Sequence, residues 1–292
     1  MIAAAFLLAC AAPFTSPSER PDTYRQTIEQ WRAEYATGLQ KPEGWLSVAG
    51  LFWLKEGVNT LGSDASSNVV LPAHSSPARA GTLTRSGDHV VLDVASGVNL
   101  LVNEAPSTHA ELKSDMSGRA DRMRLGDVTF KVIQRGNRIG VRLYDPKCKG
   151  RLDFKGLHWY AVDPALVVRA KFVRYDPPKP VPIFNILGDL SPTSLPGYLE
   201  FTINGTECRL DAEDAGSGLF LNFQDETTGE TTYGAGRFLD VDRPLRGEVT
   251  IDFNKATNPP CAYTGFATCP LPPPGNSLDV RIEAGEKAYH AE

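Results

Sequence analysis

The chain has 292 residues, 41% of them hydrophobic and 22% charged, and a formal net charge of -5. These are ordinary globular proportions, enough for one large core or two smaller ones, and they exclude a disordered polymer. The acidic balance and the lack of any Lys/Arg run exclude an electrostatic nucleic-acid or membrane-surface footprint.

In chain order, the first signal is an address. Ala3 to Leu8 forms an apolar run ahead of Ala9-Cys10. It is far shorter than the roughly 20 residues needed to span a bilayer, but it has the length of a signal-peptide core. Leu7-Leu8-Ala9-Cys10 resembles the lipobox of bacterial lipoproteins, which implies that Cys10 is lipidated and becomes the first mature residue. No Lys or Arg precedes the run, and an ordinary cleaved signal is the alternative. Ala11 to Pro21 is rich in Ala, Pro, Ser and Thr and reads as a tether. The expected location is the periplasmic face of the cell envelope, lipid-anchored or soluble, with membrane contact only through an N-terminal lipid.

Tyr24 to Leu39 carries the one convincing helical pattern, since Ile28, Trp31, Tyr35 and Leu39 recur at three- and four-residue steps. Later segments have period two or are broken by turns. Ser86-Gly87-Asp88, Arg135-Gly136-Asn137 and Asn204-Gly205 each separate two alternating runs, and the last is the strongest short-range hairpin signal in the chain. Further strands are expected at Leu166–Tyr175, Leu219–Gln224, Glu248–Phe253 and Leu278–Ile282. Pro177 to Pro182 reads as a stiff crossover outside any ladder. With 26 Gly and 22 Pro to punctuate it, the fold class is mainly β: one N-terminal helix followed by β-sandwich- or barrel-like units.

Several motifs resemble an uncharacterised prokaryotic family, domain of unknown function 1684. They are Gly44-Trp45-Leu46-Ser47 with Gly50-Leu51-Phe52-Trp53-Leu54, Asp252-Phe253-Asn254, and Asn258-Pro259-Pro260-Cys261-Ala262. Ala267-Thr268-Cys269-Pro270-Leu271-Pro272-Pro273 and Ala284-Gly285-Glu286-Lys287 belong with them. The resemblance spans about residues 25 to 288 and implies no activity. Leu61-Gly62-Ser63-Asp64 and Asn68-Val69-Val70-Leu71 resemble the opening of a forkhead-associated (FHA) domain, a β-sandwich that binds phosphothreonine. Those domains place Arg after the glycine, where this chain has Ser63, and their Ser-x-x-His element is absent because Ser76 leads to Arg79. Without the arginine, the bidentate phosphate contact is lost. The expected organisation is therefore signal and tether (1–21), helix plus FHA-like unit (22–134), and a C-terminal β-domain with a Pro-rich cysteine loop (135–292).

Chemistry-bearing patterns are few. The five histidines form no local ligand pair, no Cys-x-x-Cys occurs, and no metal or cofactor motif is present. Serine-elbow, Ser-x-x-Lys and phosphate-loop signatures are also missing. Cys261 and Cys269 lie eight positions apart in a Pro-rich loop, and in an oxidising envelope a disulfide is the simplest expectation. Cys148 and Cys208 are a second pair whose connectivity the sequence leaves open.

The densest polar stretch holds Asp225, Thr227, Tyr233, Arg237, Asp252, Asn254 and Asn258. Strand parity puts Asp252 and Asn254 on one side, opposite Ile251 and Phe253. Such residues can line a polar pocket, or they can cap turns while Arg237 pairs with Asp225 or Asp252. Three readings follow. The first is a binding or accessory envelope protein that takes a small ligand or another envelope protein. The second is a hydrolase-like enzyme with Asp225 or Asp252 as general base and Arg237 stabilising an anion. The third is a structural envelope protein.

Overall fold

The computed structural model describes residues 21–289. Cys10 and the expected signal and tether lie outside them, apart from Pro21. Helix α1 (Pro21–Leu39) starts three residues before the periodic face, because a proline needs no amide partner in a first helical turn. Its apolar stripe is used as the spacing requires: Ile28 and Leu39 are buried, Trp31 stacks on Tyr35, and both rings meet Trp159 edge-on. Among the described residues no helix is long and apolar enough to cross a membrane.

Eleven short strands follow: β1 (Val48–Trp53), β2 (Gly57–Gly62), β3 (Val69–Val70), β4 (Gly81–Ser86), β5 (His89–Val94), β6 (Leu101–Val102), β7 (Ala105–Pro106), β8 (His109–Leu112), β9 (Arg122–Leu125), β10 (Val128–Arg135) and β11 (Arg138–Tyr144). They make two sheets, ordered β1-β11-β10-β9-β6-β7 and β3-β2-β4-β5-β8. The period-two residues of both sheets share one core, with Leu61, Leu83 and Leu92 from one and Met123, Phe130 and Val141 from the other. This is the sandwich the alternation predicts. Its limit lies further on than residue 134, because β11 pairs with both β1 and β10 and therefore belongs to the first sheet.

After a single helical turn, α2 (Lys149–Leu152), come β12 (Val167–Phe184), β13 (Leu190–Ile203), β14 (Thr206–Asp214), β15 (Gly218–Asp225), β16 (Arg237–Asp242), β17 (Glu248–Asp252) and β18 (Ser277–Leu278). The order is β16-β15-β14-β13-β12-β17, with β18 parallel to β15. The two ends, β16 and β17, come back into contact, so the sheet is a nearly closed barrel. Leu199, Leu210, Leu221, Phe223, Ile251 and Phe253 fill it.

Two expectations need correction. Pro177–Pro182 is not a crossover: β12 runs through it to Phe184, paired with β13 from Lys179↔Leu195 to Phe184↔Leu190. Because β17 pairs with β12 only over Val167–Lys171, this length is an edge ribbon, where a proline can turn its missing donor away from the ladder. The register slips between Arg174 and Lys179, where Pro177 and Pro178 sit. In the second case, Leu278–Ile282 keeps its period-two burial, continued to Ala284, but only Ser277–Leu278 has a ladder partner. The alternation was real, and the hydrogen bonds go elsewhere.

All three hairpins form with two-residue turns, and at the third Ile203 pairs with Thr206. There Asn204 (φ 50°) and Gly205 (φ 81°) are both left-handed, as a turn that matches strand twist requires. No atom crowds the Gly205 position, so the cost of a side chain is conformational alone. Gly205→Val should lower stability by about 1–3 kcal/mol, and Gly205→Asn should cost less because Asn tolerates this region. Chemical denaturation of the two variants against wild type checks the order.

Candidate functional site

The seven polar residues do not share a cleft. They fall into four groups, each with its own task. Asp225 ends β15 with its side chain buried and saturated. Its Oδ2 lies 3.3 Å from the Arg237 guanidinium and accepts the Ile282 amide at 2.7 Å. Oδ1 accepts from the Thr227 hydroxyl at 2.8 Å and from Thr228 at 3.3 Å. Thr227 in turn meets Thr232 at 2.9 Å. Arg237 opens β16 and is only 1% exposed. It donates to the carbonyls of Ala284 and Ile282 and lies over the Phe223 ring. Burial pushes the guanidinium below its usual range, opposed mainly by Asp225.

The second group sits where β17 ends. Asp252 caps the short turn that follows, accepting the Asn254 amide at 3.1 Å, so the two side chains meet through a cap and not through strand parity. The Tyr24 hydroxyl donates to Asp252 at 2.8 Å and ties α1 to this corner. Asn254 reads both backbone groups of Asp163: its Oδ1 accepts the amide at 2.8 Å and its Nδ2 donates to the carbonyl at 2.8 Å. Asp225 and Asp252 share no hydrogen-bonding partner.

The third group joins Asn258 to Glu286, which the sequence singled out only as part of a motif. Asn258 donates its amide to Glu286 at 2.9 Å and its Nδ2 to the Lys287 carbonyl at 2.8 Å. Glu286 is buried, and both of its oxygens lie 2.8 Å from the Tyr263 hydroxyl. Tyr263 also meets Tyr35 of α1 at 3.3 Å. Desolvation pushes the Glu286 carboxyl up to about 7, and the Asn258 and Tyr263 donors only partly offset it. One signal was available: Gly285 has φ 80°, and a Cβ there would lie 2.5 Å from the Ala256 carbonyl oxygen. A glycine pressed against backbone marks a tightly packed turn, and its neighbour was the residue to weigh.

The fourth group is Tyr233 with the cysteine loop. The Tyr233 hydroxyl donates to the Cys261 carbonyl at 3.2 Å, and the Cys261 amide donates to the Cys269 sulfur at 3.1 Å. No disulfide joins them, contrary to expectation: Cys148, Cys208, Cys261 and Cys269 are all free. Cys208 packs inside the barrel, while the Cys148 thiol donates to the Leu46 carbonyl, so these two have separate surroundings.

A groove of about 950 Å³ lies elsewhere, across β12, β13, β14 and β17. It is rimmed by Arg169, Lys171, Glu200, Glu207, Arg209 and Glu248, and none of the seven residues lines it. Arg169–Glu248 and Lys171–Glu200 sit 3.8 and 3.9 Å apart there. That is the charge alternation of a solvated sheet face. Among the described residues no group of three or more His, Cys, Asp or Glu is placed to hold a metal.

Comparison with known proteins reaches the C-terminal motifs, while Gly44–Ser47 and Gly50–Leu54 lie outside the family match. Residues 152–287 match the family described as "Protein of unknown function (DUF1684)". The solution structure of an uncharacterised protein of Haloarcula marismortui is 34% identical, covering 47% of this chain and 78% of that one, at a TM-score of 0.40. The chain belongs to the DUF1684 family. An FHA domain studied for phosphothreonine-dependent interactions is 20% identical over 32% of this chain and 92% of its own, at a TM-score of 0.24. The FhaA FHA domain, solved with an intracellular protein domain, is 19% identical over 32% and 96%, also at 0.24. No curated protein matches.

Two consequences can be measured. Arg237→Leu strands the Asp225 carboxylate and two carbonyls in the core. It should cost about 3–5 kcal/mol in urea unfolding, and a loss under about 1 kcal/mol would show that the pair is not sealed. For Glu286, the folded carboxyl keeps its proton to about pH 7 while the unfolded chain releases it near 4.5. Unfolding between those values releases a proton, so this group's contribution falls as pH rises through that window and is level above it. The drop is on the order of 3 kcal/mol. Glu286→Gln should remove that slope, read as the wild-type-minus-variant difference in denaturation midpoint from pH 4.5 to 8.

Proposed function

We propose that this DUF1684 chain is an exported cell-envelope protein, lipid-anchored at Cys10, that works as a binding or accessory module and not by catalysis at its C-terminal acids. The location rests on Leu7-Leu8-Ala9-Cys10 and the tether that follows. The mode of action rests on one observation: the Asp225 carboxylate is fully engaged by Arg237, Ile282, Thr227 and Thr228. A general base needs a lone pair aimed at substrate, and an anion-stabilising arginine needs free donors. Asp225 and Arg237 direct these groups at their own backbone, and Asp252 is held by Tyr24 and Asn254. The hydrolase reading is therefore left without a cleft.

A purely structural role would leave no free surface to account for. The end of the β12–β13 ribbon does. Phe184, Ile186, Leu187 and Leu190 are 40–49% exposed within seven residues of each other, and grouped apolar side chains on a surface mark interaction sites. That favours an envelope protein as partner over a small ligand.

Cell fractionation tests the location. Wild type should partition with membranes and Cys10→Ser should become soluble and periplasmic; wild type recovered soluble with residues 1–10 attached would sink the anchor. A photoreactive residue at Leu187 in the anchored protein should crosslink to an envelope protein, whereas the same probe at the exposed Val58 should not. Equal labelling from both positions would remove the ribbon from the proposal.

A further inference from the structure

The segment between Cys261 and Cys269 is short, yet together with the residues just after it it contacts the helix, one sheet of the sandwich, the ribbon and the barrel. Tyr263 reaches Tyr35 of α1 and Glu286. Thr264 donates to the Val48 carbonyl of β1 at 3.2 Å. Thr268 accepts from Arg135 of β10 at 2.9 Å and from Arg142 of β11 at 3.3 Å. Just beyond, the Cys269 carbonyl accepts the Ile186 amide at 2.9 Å and the Leu271 amide donates to Phe184 at 2.7 Å, both at the ribbon end. Pro270 accepts from Asn222 of β15 at 3.0 Å. Helix, sandwich, barrel and ribbon all meet on one loop, and the two cysteines are its neck.

At that neck the sulfurs face each other. The Cys261 amide donates to the Cys269 sulfur at 3.1 Å, which sets the two cysteines against one another across the neck. Cys269 is buried, while Cys261 is partly open to solvent. We propose that Cys261 and Cys269 are a redox-active dithiol that closes to a disulfide by exchange with a low-molecular-weight disulfide, and that closure locks the sandwich onto the barrel. Cys261 is the attacking residue and Cys269 the resolving one. The Cys261 thiolate attacks one sulfur of oxidised glutathione, that S–S bond breaks, and one glutathione leaves as a thiolate and takes up a proton. Cys269 then gives up its proton, attacks the Cys261 sulfur and expels the second glutathione. Two protein thiols are oxidised and one small disulfide is reduced to two thiols.

The assignment of roles follows from access and from the pairing of the two cysteines. The neighbouring Cys269 thiol lowers Cys261 to about 7, while Cys261 and then burial hold Cys269 up. A thiol with its pKa near ambient pH is the best placed to attack. Cys148 and Cys208 are both pushed up by burial and serve as internal controls. The inference concerns the thiols alone and stands whether or not Cys10 is lipidated.

The test uses the full chain equilibrated in glutathione buffers of increasing oxidised fraction, quenched in acid, alkylated in denaturant and mapped by mass spectrometry. The expected result is a linked Cys261–Cys269 peptide, with Cys148 and Cys208 alkylated. In the reduced native protein Cys261 should react with a thiol probe about tenfold faster than Cys148 near pH 7. Cys269→Ser should halt at a glutathione adduct on Cys261, and Cys261→Ser should leave Cys269 unmodified. Cys261 and Cys269 both alkylated in the most oxidising buffer would overturn the dithiol, and that result needs no variant to fold. For the lock, amide exchange across 261–269 and in β1 and β11 should slow on oxidation; a linked peptide with unchanged exchange would overturn that half.

Discussion

Residues 276–289 alternate between buried and exposed positions but are nearly without ladders, and polar side chains tie their backbone to the rest of the C-terminal half. A buried amide or carbonyl without a partner costs as much as a lost hydrogen bond, so a segment that forgoes strand pairing must be met by side chains. Asp225 takes the amide of Ile282, and Arg237 takes the carbonyls of Ile282 and Ala284. Asn276 donates to the carbonyls of Asp211 and Asn222 while accepting the Asp211 amide. Asn258 holds the Lys287 carbonyl and Glu286 holds the Asn258 amide. These polar residues substitute for a missing strand, which explains both their burial and their failure to form a pocket.

That solution has an energetic character of its own. A buried ion pair adds little over a well-packed apolar pair, because desolvation consumes most of the attraction, but losing one partner leaves a charge stranded. The Arg237–Asp225 pair therefore contributes mainly specificity: only one path of the tail brings Ile282 and Ala284 to both groups at once. Glu286 follows the same logic with a proton in place of a counter-ion. Enclosed by Tyr263, Asn258 and the aromatic rings beyond, it lowers its cost by holding its proton towards neutrality.

Period and turn chemistry made the architecture legible from residues alone. The helix face of Ile28, Trp31, Tyr35 and Leu39, the three two-residue hairpins and the alternating strands all rest on local rules, and local rules survive into the fold. The proline ribbon was not legible, because whether a proline-rich strand is an edge depends on how far its other neighbour extends, and β17 stops at Lys171's partner. The polar stretch was legible as a cluster of commitments but not as to what. Asp225 and Arg237 find each other across two strands, as their types suggested, yet their main clients are backbone groups that carry no side-chain signature. Glu286 was visible within the Ala284-Gly285-Glu286-Lys287 motif but not as part of a site, because a single carboxylate beside Gly285 looks like any surface turn until its burial is known.

The cysteine loop extends this principle from satisfying backbone to joining units. A sandwich and a barrel each close their own core, and nothing in either core requires the other. Their junction includes Thr264 and Thr268, polar side chains on a loop whose flanking prolines supply few donors, and the Arg138–Asp189 ion pair between β11 and the ribbon end. A joint of this kind is held by a handful of modest hydrogen bonds, each worth about 1 kcal/mol net, and it is therefore the place where one covalent bond changes the mechanics most. Arg142 lies beneath the loop with its guanidinium over Trp45 and one hydrogen bond to Thr268. Its buried Nε has no partner. The loop, and not the acid-rich stretch, is therefore where the proposed disulfide acts on the joint between the two cores.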